Sequence, residues 1–426
     1  MNKILIGLFY GFVFTAYSTA QSLEEITLTY CYERIETDYP ASRKIELQEK
    51  IASLNSKIRQ SGLYPEVLIS GSASYQSEVT NIAFGGAPGP SLSKDHYNIS
   101  VDVNQAIFDG GRTNNLREIE RVSGKVQQAG VRVELWNIRN QVNQVYFGIL
   151  LIQKQKETLE LLLKDLNEQQ NLVASKVKNG ILLPSNELIL KAEILKIRQQ
   201  LVEVISTRNA GHKVLSEIIG KELSTETKLL IPVLNDFAEL KEAESARPEW
   251  EVFAQKKNSL DAQIDLNGSE KLPTISAFAK TSYGRPGFDV FDDDLHFYWV
   301  AGLKAQWSFR NWRNSEKKAQ VFQIQKEQTN ADKDTFEQQL NASLNEAEQR
   351  IYSVQEQIEL DEELVQLRKE IMDEKSSQLN QGVITSTEYV NELNELSRAR
   401  LNLEIHKIQL IQAKNEYSTK KGISWK

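Results

Sequence analysis

The chain has 426 residues, enough for one large core or for two or three domains. Charged residues make up 26% of it, aromatics 8%, and Gly and Pro are sparse, which favours long helices over a sandwich of short strands. A formal net charge of −7 gives no reason to expect nucleic-acid binding.

Residues 1–20 read as a secretory signal peptide. Lys3 precedes an apolar run from Ile4 to Ala16, and Ser18-Thr19-Ala20 offers small residues for cleavage before Gln21. A retained membrane anchor is the less favoured alternative. No other segment approaches the ~20 apolar residues that a spanning helix needs. Cys31 is the only cysteine, which excludes an intrachain disulfide, and no lipobox surrounds it. An exported protein with no single anchoring helix is expected.

In chain order, helices are predicted within 21–63, with one over about 41–62. A β-hairpin follows over 64–109 and a long helical hairpin over 110–220. A linker or equatorial segment at 221–247 leads to a helix at 248–270, a second β-hairpin at 271–310, a second helical hairpin at 311–418 and a tail at 419–426. The two halves look like copies of one plan. PEVLISGSASY from Pro65 is matched by PTISAFAKTSY from Pro273, 208 residues on. QAIFDGGR from Gln105 is matched by QWSFRNWR from Gln306, and Gly180 in NGILLPSNEL by Gly382 in QGVITSTEYV, at offsets of 201 and 202. Three matches in order point to a duplication.

The strands alternate. Tyr97, Ile99, Val101 and Val103 oppose Asn98, Ser100, Asp102 and Asn104, while Val67, Ile69, Gly71, Ala73 and Tyr75 oppose serines. Ile275, Ala277 and Ala279 share a face, and Phe297, Trp299, Leu303 and Trp307 stand against His296, Lys304, Gln306 and Ser308. Segments of about ten residues with one apolar face fit membrane barrel strands. Tyr75, Tyr97, Tyr283 and Trp299 are candidates for aromatic girdles. A soluble sheet packed on helices would alternate in the same way. The export signal and the lack of spanning helices tilt the reading toward a barrel. Bacterial barrels have about eight strands or more, yet four are predicted here, so one chain cannot close a barrel and oligomerisation becomes a requirement.

After each hairpin the period changes to that of a coiled coil. Ile119, Val126 and Val133 repeat at seven, and Leu340, Leu344, Ala347, Ile351, Val354 and Ile358 alternate spacings of four and three. An uninterrupted helix of this length would reach roughly 100 Å. A soluble coiled-coil rod would account for this part equally well. The strand-to-helix junctions are Phe108-Asp109-Gly110-Gly111 and Phe309-Arg310-Asn311-Trp312. Glycine turns the backbone at the first. The second has none, so Asn311 is expected to take the unusual angle. Gly180 and Gly382 read as helix C-caps, and Thr385-Ser386-Thr387-Glu388 as a capping box.

The set formed by "SLEEI" near the mature start, "YPEV", "QAIFDGGR" and "G…TSTEYV", in duplicated order, resembles the TolC-type outer-membrane efflux proteins over essentially the whole mature length. The resemblance implies a mainly α fold with a small membrane β part. In it a homotrimer forms a 12-stranded outer-membrane β-barrel above an α-helical periplasmic tunnel. It implies a channel of a tripartite efflux or type I secretion system of a Gram-negative bacterium. The implied partners are a periplasmic adaptor (membrane fusion) protein, an inner-membrane pump of RND or ABC type, and outer-membrane lipid. It also implies that the loops at Gly85–Pro90 and Arg285–Asp294 face outward and that the turns at Gly180 and Gly382 form the periplasmic tip. Gly180, Ile181, Leu182, Leu183, Gly382 and Val383 would then be adaptor-contact residues.

Family members carry aspartates six and nine residues past the second-turn glycine, where this chain has Glu388 and Asn391. Leu379 and Ile384 occupy positions where some members hold closing tyrosine and arginine side chains, so an ion-pair lock is not expected here. Enzyme readings fare poorly. His96, His212, His296 and His406 are isolated, and neither a phosphate-binding loop nor a nucleophile elbow occurs, so no catalytic residue, metal or cofactor is expected. The alternative functional reading is a periplasmic coiled-coil adaptor or scaffold of an export complex, although adaptors usually carry one hairpin where this plan occurs twice.

Overall fold

A computed structural model describes residues 25–79, 92–233, 236–289 and 292–423. The expected signal peptide and the Gly85–Pro90 loop lie outside these residues. The chain forms two compact units. One holds residues up to 33, 142–233 and 358–408; the other holds 34–141, 234–357 and 409–426. No described helix is long and apolar enough to cross a membrane.

The second unit carries the sheet. Strands β2 (Glu66–Tyr75), β3 (Asp95–Phe108), β5 (Thr274–Arg285) and β6 (His296–Gln306) pair antiparallel in the order β2-β3-β5-β6. The two hairpins, one from each repeat, are thus joined through β3 and β5. The helices α2 (Arg43–Ser61) and α6 (Glu249–Ser269) lead into β2 and β5. Glu120, near the start of α3 (Arg112–Lys178), accepts hydrogen bonds from Asn55 (3.1 Å) and Arg59 (2.9 Å) of α2. Asn267 and Ser315 exchange buried hydrogen bonds (2.7 and 2.9 Å) between α6 and α7 (Phe309–Asn380).

The segment expected as a linker or equatorial segment at 221–247 carries two short elements. It holds the short strand β4 (Lys228–Leu229) and the helix α5 (Phe237–Glu242), whose Phe237 ring packs edge-on against Tyr417, 5.1 Å between centroids. The expected tail at 419–426 begins as helix, because α8 (Ser386–Lys421) runs on as far as Lys421. Its last carbonyls find partners there: Trp136 donates to Thr419 O (3.1 Å) and Ala246 N–H to Lys421 O (3.1 Å). The ammonium of Lys421 donates to Leu240 O (3.0 Å) and Lys241 O (2.7 Å), which closes the C-terminal end of α5.

The first unit is built from the far ends of α3 and α7, with α4 (Pro184–Ile219) and most of α8. Leu166 and Val173 of α3, Leu190 of α4 and Leu379 of α7 are fully buried in one cluster, with Leu393 and Leu396 of α8. Each such side chain contributes about 1.5–3 kcal/mol on burial. At the other end of the unit, β1 (Glu25–Ile26) pairs parallel with β4. The buried hydroxyl of Tyr146 bridges them, donating toward Ile26 O (2.9 Å) and Leu230 O (2.6 Å). Burial pushes that phenol far above its ordinary range.

Cys31, on α1 (Leu28–Asp38), is fully buried, and burial pushes its thiol up to about 12. The thiolate is the reactive form. Folded protein is therefore expected to resist maleimide near neutral pH and to label fully in denaturant. Rapid labelling of the native protein would contradict this packing.

Candidate functional site

The register of the sheet sorts its side chains by face. Val67, Ile69, Gly71 and Ala73 pair with Val103, Val101, Ile99 and Tyr97, and these in turn with Ala279, Thr281, Tyr283 and Arg285. Leu303, Trp299 and Phe297 continue the same face on β6. This face is bare: Ile69 is 72% exposed, Trp299 68% and Leu303 75%. The opposite face is polar. Ser70 and Ser100 share a hydrogen bond (2.9 Å), Ser100 donates to Asp102 (2.8 Å), and Lys280 pairs with Asp102 (3.4 Å). The alternation read in single strands becomes one apolar surface backed by a mainly polar one, which Leu68, Phe278 and Val300 interrupt. β2 and β6 are the edges of this sheet and pair on one side only.

The two junctions are solved differently. In the first, Gly110 and Gly111 have φ of +67° and +81°. Gly110 has a second reason to be glycine, since an added Cβ would sit 2.8 Å from Leu272 Cβ and 3.0 Å from Ser269 O. Asp109 then starts α3 by accepting from Gly111 N–H (3.0 Å) and Thr113 N–H (2.7 Å). Partial burial raises the Asp109 carboxyl, but the hydrogen bonds from Thr113 and Gly111 outweigh it and hold it below the usual carboxylate range.

At the second junction the expectation for Asn311 fails, because among the described residues every positive φ belongs to glycine. β6 ends at Gln306 and α7 begins at Phe309, four residues before the counterpart of Arg112. The two-residue link lets the chain enter the helix about one turn early, with Asn311 inside it. Trp307 fixes the link. Its indole donates to Lys271 O (3.1 Å), and its ring lies 4.7 Å from Phe309 and 6.4 Å from Trp312. All three rings are exposed. This cluster was legible only as scattered aromatics in QWSFRNWR.

At the hairpin turns, Gly180 (φ +73°) and Gly382 (φ +76°) end α3 and α7 in matching Schellman motifs. Ile181 N–H reaches Lys176 O (2.9 Å) and Gly180 N–H reaches Val177 O (3.0 Å). Val383 N–H reaches Gln378 O (2.9 Å) and Gly382 N–H reaches Leu379 O (3.1 Å). Ile181 (62%), Leu183 (72%) and Val383 (69%) stand exposed, whereas Leu182 and Ile384 turn inward onto the helical core. Leu379 is fully buried in that core, so in this structure it packs the helices instead of facing solvent.

Glu388 and Asn391 lie exposed three residues apart on α8, on one face of the helix. Glu388 completes a reciprocal capping box: its carboxylate accepts Thr385 N–H (3.2 Å), and its own N–H reaches Thr385 Oγ1 (3.4 Å). Beside it, burial pushes the Tyr389 phenol up to about 12, with Asp165 and Glu168 adding to the rise. Two ties between the turns escaped the sequence reading. Lys176 donates to Asn380 O (2.8 Å) and Oδ1 (3.0 Å), and Asn186 Oδ1 accepts Ser386 N–H (2.8 Å). The 200-residue spacing of Asn186 and Ser386, close to the repeat offset, was the available signal.

The family model described as "Outer membrane efflux protein" matches residues 38–221 and 240–418. The chain belongs to that family. It is therefore an outer-membrane efflux channel-tunnel with a large helical part, and its family is one of channels, not enzymes. No match is found among curated proteins. Among solved structures, the chain is similar to the outer membrane protein VceC of Vibrio cholerae, at 13% identity over 94% of this chain and 97% of that one, TM-score 0.68. It is similar also to the CmeC outer membrane channel of Campylobacter jejuni (12%, 93% and 85%, TM-score 0.65). The open state of the Neisseria gonorrhoeae MtrE outer membrane channel is a third neighbour (14%, 93% and 88%, TM-score 0.63). At these identities the likeness is one of fold.

Two substitutions check these assignments. Leu379→Ala should destabilise the helical unit by about 2–5 kcal/mol, read as a lower midpoint in denaturant; an unchanged midpoint would put the side chain outside the core. Asp109→Ala should cost about 1 kcal/mol near neutral pH. Because the folded carboxyl is held low, that contribution is present above the ordinary carboxylate pKa and fades as pH falls through the folded value. Wild type and variant should therefore converge in acid, and a difference that persists there would assign the effect to packing.

Proposed function

We propose that three copies of this chain close one outer-membrane barrel and conduct substrates passively from a periplasmic adaptor and an inner-membrane pump to the exterior. The observation that carries this reading is the sheet with two open edges and one bare apolar face. In lipid, unpaired backbone groups cost several kcal/mol each, so β2 and β6 must find partners, and the nearest source is the same two edges on further copies. Four strands from each of three chains make twelve, within the bacterial range of about eight or more, with the polar face turned to a water-filled lumen. Two copies would also reach eight strands. The family resemblance favours three.

The exposed cluster of Trp307, Phe309 and Trp312, at the ends of strands whose other ends carry Tyr75, Tyr97 and Tyr283, supplies the second of two interfacial aromatic belts. The exposed Ile181, Leu183 and Val383 at the turns are the proposed adaptor contacts. Glu388 and Asn391 are the proposed entrance residues, with capping as the second duty of Glu388. The channel supplies a path and no chemistry, so the energy for transport comes from the pump.

Purified protein reconstituted into planar bilayers should give discrete conductance steps and should run as a heat-modifiable oligomer. A protein that neither conducts nor oligomerises would overturn the reading. Glu388→Gln should reduce divalent-cation block or cation selectivity of the reconstituted channel; unchanged conductance and selectivity would leave Glu388 with its capping role alone.

A further inference from the structure

A groove of about 660 Å³ runs between α2 and α3 in the second unit. Lys57, Arg117, Arg121 and Lys125 line it, against the two carboxylates of Glu49 and Glu118. Glu118 is taken by Arg121, whose Nε donates to it (2.7 Å). Arg117 donates to the neutral hydroxyl of Ser56 (3.3 Å). Among the described residues, Lys57, Arg117 and Lys125 form no ion pair. Cations gathered without counter-charge repel one another, so an anion from outside would stabilise this groove.

The duplication supplies an internal comparison. At the repeat offset of 201, Arg117 and Lys125 match Lys318 and Lys326 of α7. Those two lysines are neutralised from α6, by Glu270 (3.0 Å) and Asp261 (2.6 Å). At the offset of 208 that relates the strands following α2 and α6, the same two acids match Gly62 and Ser53. The first copy therefore holds both cations and neither acid. It also has Lys57 where the second copy has Asp265.

The groove opens beside the sheet. At 1.5 Å per residue, Arg117 lies about 8 Å and Arg121 about 14 Å from the start of α3. The bond between Ser56 and Arg117 brings the adjacent Lys57 to the same level. A headgroup layer is roughly 5–8 Å thick beyond the hydrocarbon core, and long cationic side chains reach up to it. The groove also lies on the side that the bare face of the sheet occupies. Trp307 follows Ala305 and Leu303 on that face, and its ring lies 6.4 Å from Trp312. Lys326 stands fourteen residues, about four turns, beyond Trp312 and so shares its side of α7. Its counterpart Lys125 marks the same side of α3.

We propose that this groove holds the phosphate of an anionic lipid headgroup in the periplasmic leaflet, between Lys57, Arg117 and Arg121, with Lys125 at its far end. The planar guanidinium forks suit phosphate oxygens, and basic pockets at a membrane surface recognise headgroups in this way. The site rests on the barrel reading above, which sets the level of the membrane. It adds a lipid class and the residues that select it. The matching groove of the second repeat, filled by its own acids, has no such capacity.

The test uses the full chain, purified in detergent and stripped of lipid. Native mass spectrometry then follows addition of phosphatidylglycerol, phosphatidylcholine or inorganic phosphate. Wild type should retain one phosphatidylglycerol per chain, and the double variant Lys57→Gln/Arg117→Gln should bind it at least roughly tenfold more weakly. Lys318→Gln/Lys326→Gln, in the matching groove, should bind as wild type does. Arg117→Lys, which keeps the charge, should lose less than Arg117→Gln. The oligomer mass in the same spectra checks that each variant assembles. Equal retention of phosphatidylcholine, or equal binding by the first double variant, would overturn the site. Displacement of the lipid by inorganic phosphate at equal concentration would assign the groove to a free anion and overturn the lipid. Conductance separates this proposal from the one it rests on. A conducting oligomer that retains no phosphatidylglycerol loses this site alone, whereas a protein that neither assembles nor conducts loses the barrel and the site with it.

Discussion

A backbone amide in hydrocarbon has no water to fall back on, and the rest of this structure depends on that constraint. The four-stranded sheet satisfies its interior strands and leaves two edges open, at β2 and β6. In a soluble protein such edges are blunted by charge, proline or a covering helix. β2 has none of these over Val67–Tyr75, and its flat apolar face is bare. An edge this undefended is a hazard for a monomer in water and a requirement for a barrel built from several chains. In the proposed barrel the sheet is half of an interface, and its open edges and bare face fit that role.

The same incompleteness recurs in the helices by a different physical route. A helix in a closed bundle needs one apolar stripe, and α4 and α7 have two. The inner stripes build a core from Leu166, Leu190, Leu379 and Leu393 that needs nothing beyond one chain. The outer stripes have no such use within one chain. In the proposed barrel, hydrogen bonding drives completion of the sheet, where lipid surrounds it. Each unit therefore leaves one surface that its own chain does not cover.

Much of this was legible in the sequence because it follows from periodicity. Alternation gave the faces of all four strands, a seven-residue repeat gave the long helices, and Gly180 and Gly382 marked turns that the structure closes with two Schellman hydrogen bonds each. What escaped depends on which elements become neighbours. Nothing local reveals that Tyr146 will bridge β1 and β4, or that Lys421 will close the end of a helix 180 residues earlier. Leu379 shows the limit of aligned positions. A position that the resemblance aligned with polar closing side chains holds an apolar residue here, and the residue behaves as its chemistry dictates by joining the core.

The paired junctions show how a duplicated plan tolerates different local solutions. Gly110 is confined by its positive φ and by Leu272 and Ser269 pressing on the space a side chain would need. The second copy escapes both constraints by ending its strand early and beginning its helix about one turn sooner. Trp307 takes over the fixing role, through a hydrogen bond to Lys271 and a tilted ring contact with Phe309. What the duplication preserves is the requirement that a strand obeying a two-residue period pass its direction to a helix obeying a 3.6-residue one. The glycine pair is one answer to that requirement, and an indole clamped between a carbonyl and a neighbouring ring is another.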